Sequence, residues 1–113
     1  MKKFLIITSY PSGVGQLAKK VAEKYGCQTE ITDHNDGLVK FLELQPDYVV
    51  IGDAEYIKGA GEKNTIGCQT YQDITRSASP NQIIRQVGWG KTDQANYLRL
   101  PFSPEDFAKS FGL

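Results

Sequence analysis

The chain has 113 residues, of which 40% are hydrophobic and 23% are charged, as in an ordinary globular domain. Its 13 basic and 13 acidic residues cancel, which gives no reason to expect a nucleic acid or an anionic membrane as partner. The first apolar run is too short for a secretory signal, and no stretch approaches the roughly 20 apolar residues of a membrane span. We therefore expect one domain, residues 1–113, that works in the cytoplasm.

The first third of the chain predicts a buried strand followed by an amphipathic helix. Phe4–Thr8 is a continuous apolar run, typical of a strand that is covered on both faces. After a turn at 9–13, apolar residues recur every three or four positions and predict helix one, with Gly26 as its C-terminal cap. The predicted buried stripe of this helix consists of Val14, Leu17, Ala18, Val21, Ala22 and Tyr25.

A weaker strand, a polar loop and a short helix are predicted next. Gln28–Thr32 alternates between polar and apolar residues, as an edge strand does. The following loop, 33–37, contains His34 between acidic residues, and we expect this histidine to be solvated. Cys27 and Cys68 form no metal-binding pattern with it, so we expect no metal and no cofactor. The short helix two is predicted to bury one face, formed by Leu38, Phe41 and Leu42.

The centre of the chain carries the residue of greatest functional interest. Pro46-Asp47 leads into four large apolar residues, Tyr48–Ile51, which predict a central parallel strand. That run stops at Gly52 and Asp53. Because chemistry in open α/β sheets gathers at the carboxyl ends of the strands, Asp53 is the first candidate for a functional side chain.

The second half repeats the alternation of helix and strand. A loop at 54–66 precedes helix three, predicted over Gly67–Ala78. Gln82–Val87 and Tyr97–Leu100 are predicted as strands four and five. Ser103 is a natural N-cap for the last helix, because proline and acidic residues follow it.

Strict alternation of strands and helices predicts an α/β three-layer sandwich around a five-stranded parallel sheet. The flavodoxin-like strand order 2-1-3-4-5 is the commonest topology at this size. Only residues 88–96 join strands four and five, fewer than a normal crossover needs, so we expect the intervening helix to be shortened or missing. An uncovered sheet face requires a lid or a partner, and Trp89, Tyr97 and Arg99 are the predicted contact surface.

The order of these elements resembles the receiver domain of two-component response regulators. The resemblance is carried by Pro46-Asp47 before the apolar strand, Gly67 at the start of helix three, the Ile83-Ile84 strand, and residues 97–107. The last segment, YLRLPFSPEDF, is the most specific, since it is similar to the ending YL-x-K-P-F-S-P-E-E-L of that family. The resemblance implies a receiver fold and a role in signalling.

Receiver chemistry uses two acids after strand one and a phospho-accepting Asp after strand three, which hold Mg²⁺. A hydroxyl after strand four and a Lys after strand five contact the phosphoryl oxygens. A count without gaps from Pro46 places Gly52 at the acceptor position, and Asp53 comes one residue later. The family's reactive positions are therefore held by Thr8, Ser9, Gly52, Val87 (followed by Gly88) and Leu100.

The resemblance thus implies a degenerate receiver that acts by protein–protein contact or self-association, without phosphotransfer or other enzymatic activity. Asp53 is interpreted as a strand-end acid that caps the following loop, or as a surviving phospho-acceptor in an active receiver. A different class is a small flavodoxin-like protein whose Ser12–Gly15 turn holds a phosphate-bearing ligand. Trp89 is either a lid over the sheet or an exposed anchor for a partner.

Overall fold

The computed structural model describes residues 2–53, 66–88, 96–100 and 102–113. A single turn of π-helix, Pro11–Gly15, leads directly into the first α-helix. The strands are β1 (Lys3–Ile7), β2 (Gln28–Thr32), β3 (Tyr48–Ile51), β4 (Ile83–Gly88) and β5 (Tyr97–Arg99). The helices in these ranges are α1 (Gln16–Lys24), α2 (Gly37–Leu44), α3 (Ile66–Ser77) and α4 (Pro104–Ser110).

All strand pairs are parallel, and the sheet order is β2-β1-β3-β4-β5, which confirms the predicted topology. β1 lies between β2 and β3, with Phe4 opposite Thr29 on one side and Tyr48 on the other. β5 is short and pairs only with the end of β4, where Tyr97 lies opposite Gln86. The loops that follow β1, β2, β3 and β4 consequently meet along one edge of the sheet, its carboxyl edge.

The sheet is covered on both faces, as its continuous apolar strands predicted. On one face, α1 and α4 pack over alternate strand residues, and the largest buried side chains there are Phe4, Ile6, Val50, Phe107 and Phe111. On the other face, α2 and α3 cover Leu5, Ile7, Val49, Ile51 and Ile84, with Phe41 and Ile74 as the helix contributions. The predicted three-layer sandwich is confirmed.

Two predicted helix ends are confirmed in atomic detail. The Ser103 hydroxyl accepts a hydrogen bond from the Asp106 amide at 3.1 Å, and Pro104 occupies the first turn of α4. Gly26 follows α1 with φ of 81°, a left-handed conformation that glycine adopts without strain. The amides of Gly26 and Cys27 donate to the carbonyls of Glu23 and Ala22, which closes the helix end.

Two side chains on the predicted buried stripes are exposed instead. Tyr25 is 48% exposed because α1 ends at Lys24 and the chain then leaves the helical path. Leu42 is 50% exposed because its neighbour Phe41 already points into the core, and successive helical residues are about 100° apart around the axis. Helix one also begins later than predicted, after the π-helical turn that starts at Pro11.

Between β4 and β5 the structure describes only Asn96, so the predicted shortening or loss of the intervening helix concerns residues outside the described ranges. Trp89 lies outside the described residues, as does the loop predicted after Asp53 up to residue 65. No helix within the described ranges is long and apolar enough to cross a bilayer.

Candidate functional site at the carboxyl edge of the sheet

The end of β3 turns sharply at the carboxyl edge. The Gly52 amide still donates to the Ile7 carbonyl at 2.8 Å, so the chain stays beside β1 for one residue beyond the strand. Asp53 then takes a φ of 61°, in the left-handed region that non-glycine residues seldom occupy. The alternation of side chains along a strand therefore does not set the direction of Asp53, because β3 ends at Ile51.

The Asp53 carboxylate is held by two loops that precede it in the chain. Its Oδ2 accepts hydrogen bonds from the Ser9 backbone amide at 2.8 Å and from His34 Nε2 at 2.7 Å. The Asp53 side chain is 16% exposed, and that of His34 is only 3% exposed. The prediction of a solvated His34 is therefore wrong. The predicted capping of the loop after Asp53 falls on residues outside the described ranges.

A second hydrogen bond ties His34 to α3. Its Nδ1 lies 2.8 Å from the hydroxyl of Thr70, which is buried in the first turns of that helix. The Thr70 hydroxyl also lies 2.9 Å from the Ile66 carbonyl, four residues earlier in the helix. One buried imidazole thus joins the β2–α2 loop, the end of β3 and the start of α3.

Sequence reasoning missed both His34 and Thr70 as site residues. A signal for His34 exists in the predicted strand order. β2 lies next to β1, so the loop after β2 reaches the same carboxyl edge as Asp53. Thr70 carries no such signal, because its position is fixed only by how α3 packs on the sheet.

The Asp53 carboxylate is electrostatically favoured in its ionised form. Burial by itself raises the pKa of Asp53, but the hydrogen bonds from His34 and Ser9 and the charge of His34 outweigh that effect. The pKa of Asp53 is therefore lower than that of an ordinary aspartate.

The other half of the carboxyl edge is a cavity of about 170 Å³ that both polar and apolar residues line. The Thr8 hydroxyl, on its wall, accepts a hydrogen bond from the Tyr10 amide at 3.0 Å. A Cβ on Gly52 would meet the Thr8 hydroxyl oxygen at 3.0 Å, so the backbone approaches Thr8 closely there. The lining residues are Thr8, Tyr10, Val14, Gly52, Asp53, Val87, Gly88 and Leu100.

The structure therefore brings most of the sequence-predicted positions together. Thr8, Gly52, Asp53, Val87 and Leu100 share this cavity, and Ser9 reaches Asp53 through its amide. Leu100 also packs against the core under α1 and α4. Two residues of the predicted contact surface lie elsewhere, because Tyr97 packs on Cys68 and Arg99 is exposed. Trp89 falls outside the described residues.

The Mg²⁺ ion that a receiver fold implies does not fit these residues. Thr8 and Ser9 provide hydroxyls where the metal requires carboxylates, and the Asp53 carboxylate is already paired with His34. No group of three or more His, Cys, Asp or Glu side chains that could hold a metal occurs among the described residues.

The turn before α1 does not present the backbone amides that a bound phosphate would need. The amides of Gly13 and Gly15 both donate to the Tyr10 carbonyl, at 3.2 and 3.4 Å. Gly15 is buried, and a Cβ there would meet the Thr8 methyl at 3.2 Å. The geometry therefore does not favour a flavodoxin-like phosphate loop at residues 12–15.

Solved structures similar to this one include receiver domains. A CheY-like response regulator receiver domain from Methanospirillum hungatei superposes with a TM-score of 0.73 at 18% identity, over 99% of this chain and 91% of that one. The signal receiver domain of a modulated diguanylate cyclase from Desulfovibrio desulfuricans gives 0.71 at 14% identity, over 99% and 91%. A pilus assembly protein from Caulobacter crescentus gives 0.67 at 13% identity, over 97% and 90%. The chain has a receiver-like fold.

No protein-family model and no curated protein matches the sequence. Identities of 13–18% establish that the fold is shared, and the residues at the carboxyl edge must indicate what this receiver-like fold does. At that edge, a histidine from the β2–α2 loop stands against Asp53, the one acidic side chain among the described residues that line the cavity.

Proposed function

We propose that this chain is a receiver-like regulatory domain that acts by contact with another protein and transfers no phosphoryl group. The observation that carries the proposal is the 2.7 Å hydrogen bond between the buried His34 ring and Asp53. This bond engages the Asp53 carboxylate, which lines the cavity, with a partner from the same chain. The domain is accordingly non-enzymatic and needs no cofactor.

Phosphorylation of a carboxylate requires an oxygen that can reach the donor and a cation that neutralises the incoming charge. At this edge Asp53 Oδ2 accepts two hydrogen bonds, and the described residues that end or directly follow β1 and β4, the neighbours of β3, include no further carboxylate. Leu100 stands where a receiver has lysine, and Val87 and Gly88 offer no hydroxyl. These substitutions remove the electrostatic stabilisation that phosphoryl transfer depends on.

Incubation with acetyl phosphate and Mg²⁺, followed by intact-mass measurement, tests the proposal. We expect no stable gain of a phosphoryl group by the parent chain. Asp53→Asn is the matched control, because it keeps the shape of the side chain and removes the nucleophilic carboxylate. A gain of one phosphoryl group that Asp53→Asn abolishes would show instead that the chain is an active phospho-receiver.

The partner surface is proposed on the β4–β5 side of the domain, at Trp89, Tyr97 and Arg99. β5 is a three-residue edge strand, and Arg99 is exposed on it. Tyr97 contributes through its packing on Cys68 of α3, which ties this edge to the helix that Thr70 belongs to. The occupant is a second copy of the chain or a regulatory protein.

Sedimentation of the parent and of Trp89→Ala separates these cases. A parent dimer that Trp89→Ala converts to a monomer supports self-association through this side. Two monomers of equal stability would exclude Trp89 both as a self-association anchor and as a lid over the sheet, and would leave only a different protein as partner.

A further inference from the structure

The hydrogen bonds of His34 admit two protonation states without movement of the heavy atoms. An ionised carboxylate can only accept, so Nε2 carries a proton toward Asp53 in both states. When Nδ1 is bare, the Thr70 hydroxyl donates to it across the 2.8 Å contact. When Nδ1 gains a proton, it donates to the same hydroxyl oxygen, and the hydroxyl turns to the Ile66 carbonyl at 2.9 Å.

Thr70 can therefore form a hydrogen bond with the ring in either protonation state. A backbone carbonyl or a second carboxylate could not. A carbonyl could accept only from the protonated ring, whereas a hydroxyl serves either state. Thr75 provides an internal comparison on the same helix. Its hydroxyl makes the same kind of bond, to the Tyr71 carbonyl at 2.8 Å, but faces no histidine.

The charged groups around His34 come from few elements. Asp53 faces it from the end of β3, and Asp33 and Asp36 belong to its own loop, where both are exposed. The loop after β1 contributes the Ser9 amide, and the first turns of α2 and α3 contain no acidic residue. Among the described residues, the Asp53 carboxylate is thus the one charge in direct contact with the ring.

Resting on the proposed function, we propose that a proton on His34, in place of a phosphoryl group on Asp53, is the input to this domain. The proton comes from solvent and binds Nδ1, and the ring becomes the built-in counter-cation of Asp53. Its gain converts a hydrogen bond between a neutral ring and an ionised carboxylate into one between two ions, and so adds a Coulombic attraction to that bond. It also moves the Thr70 hydroxyl onto the first turn of α3. The β2–α2 loop, the end of β3 and α3 are therefore held together more firmly when His34 is charged.

His34 is the only histidine in the chain, so its imidazole can be followed by nitrogen NMR without assignment by mutation. In spectra recorded from pH 8 down to pH 5, we expect Nδ1 to gain a proton while Nε2 stays protonated. The Ser9 amide should shift with the same midpoint. Hydrogen exchange of the first-turn amides of α3, corrected for intrinsic rates, should be slower at pH 5.5 than at pH 7.5 by at least about fivefold, the lower end of typical coupling between linked sites.

Two valine variants make the test specific. Thr70→Val should abolish the pH dependence of exchange in α3, and Thr70→Ser should retain it. Thr75→Val removes an equivalent hydroxyl bond on the same helix and should leave the pH dependence unchanged. The inference is overturned if the ring keeps one charge state from pH 5 to 8, or if it titrates with no change in α3 exchange. No phosphodonor is present in this experiment, so phosphorylation of Asp53 by acetyl phosphate would refute the proposed function without deciding the outcome here.

Discussion

The carboxyl edge of the sheet has two halves that differ in the side chains they contain and in the hydrogen bonds that those side chains form. In the polar half (Ser9, His34, Asp53 and Thr70), the Asp53 carboxylate accepts hydrogen bonds from two separate loops, and Thr70 of α3 bonds to the histidine. In the apolar half (Val14, Val87, Gly88 and Leu100), these four wall residues offer no hydrogen-bonding side chain. The partner of Asp53 thus comes from the β2 side of the sheet, whereas the lysine that a receiver carries follows strand five, on the other side of the sheet.

Removal of the His34 imidazole should give the largest effect on the stability of the fold. His34→Ala leaves the mostly buried Asp53 carboxylate without its partner, and breaking such a pair costs about 3 kcal/mol of unfolding free energy. Urea denaturation measures the loss. Asn35→Ala, an exposed neighbour on the same loop, is the control and should change stability by less than about 0.5 kcal/mol. Equal losses in the two variants would mean that the polar half contributes nothing specific.

The boundary between the halves is tested by Gly52→Ala. The added Cβ would lie 3.0 Å from the Thr8 hydroxyl oxygen and 3.2 Å from its Cβ, so the Thr8 side chain must move by a few tenths of an ångström. We expect a loss of about 2 kcal/mol, as for other overpacked sites. Gly13→Ala serves as the control, because its nearest atom lies 4.0 Å away. If Gly52→Ala is as stable as the parent, then a side chain fits at the family's acceptor position after all.

Leu100→Lys tests whether the apolar half can accommodate a charged group. The new ammonium group would lie among the apolar residues Val14 and Val87, and we expect a loss of about 1–2 kcal/mol and no phosphorylation by acetyl phosphate. Leu100→Met keeps the volume and should cost less than the lysine variant. A lysine variant more stable than the parent would show that the cavity is already polar.

The smallest expected effect is on how the stability of the fold decreases at acidic pH. The pKa of Asp53 is lower in the folded than in the unfolded chain, so the ionised carboxylate stabilises the fold above the ordinary aspartate pKa of about 3.9. That contribution is lost as the pH falls through the folded pKa. Unfolding measured from pH 6 down to pH 2 should therefore show a steeper loss for the parent than for Asp53→Asn. Parallel curves would mean that Asp53 is not ionised preferentially in the fold.

Much of the fold follows from local patterns in the sequence. The apolar runs at Phe4–Ile7 and Tyr48–Ile51 need cover on both faces, and short crossovers between parallel strands leave few topologies. The Ser103 cap could also be predicted, since it depends on a neighbour three residues away. The exposure of Tyr25 and Leu42 could not be predicted, because it depends on where α1 ends and how α2 is rotated on the sheet.

The candidate site divides in the same way. The sequence alone predicted that Asp53 follows a central strand, and the resemblance to receivers implied that Thr8, Gly52, Val87 and Leu100 hold that family's reactive positions. Only the tertiary structure decided that His34, 19 residues from Asp53, is its buried partner. The reason is that a loop histidine between acidic residues has the composition of a solvated segment. It becomes buried because β2 pairs with β1, and that pairing brings the loop after β2 to Asp53 and to Thr70 on α3.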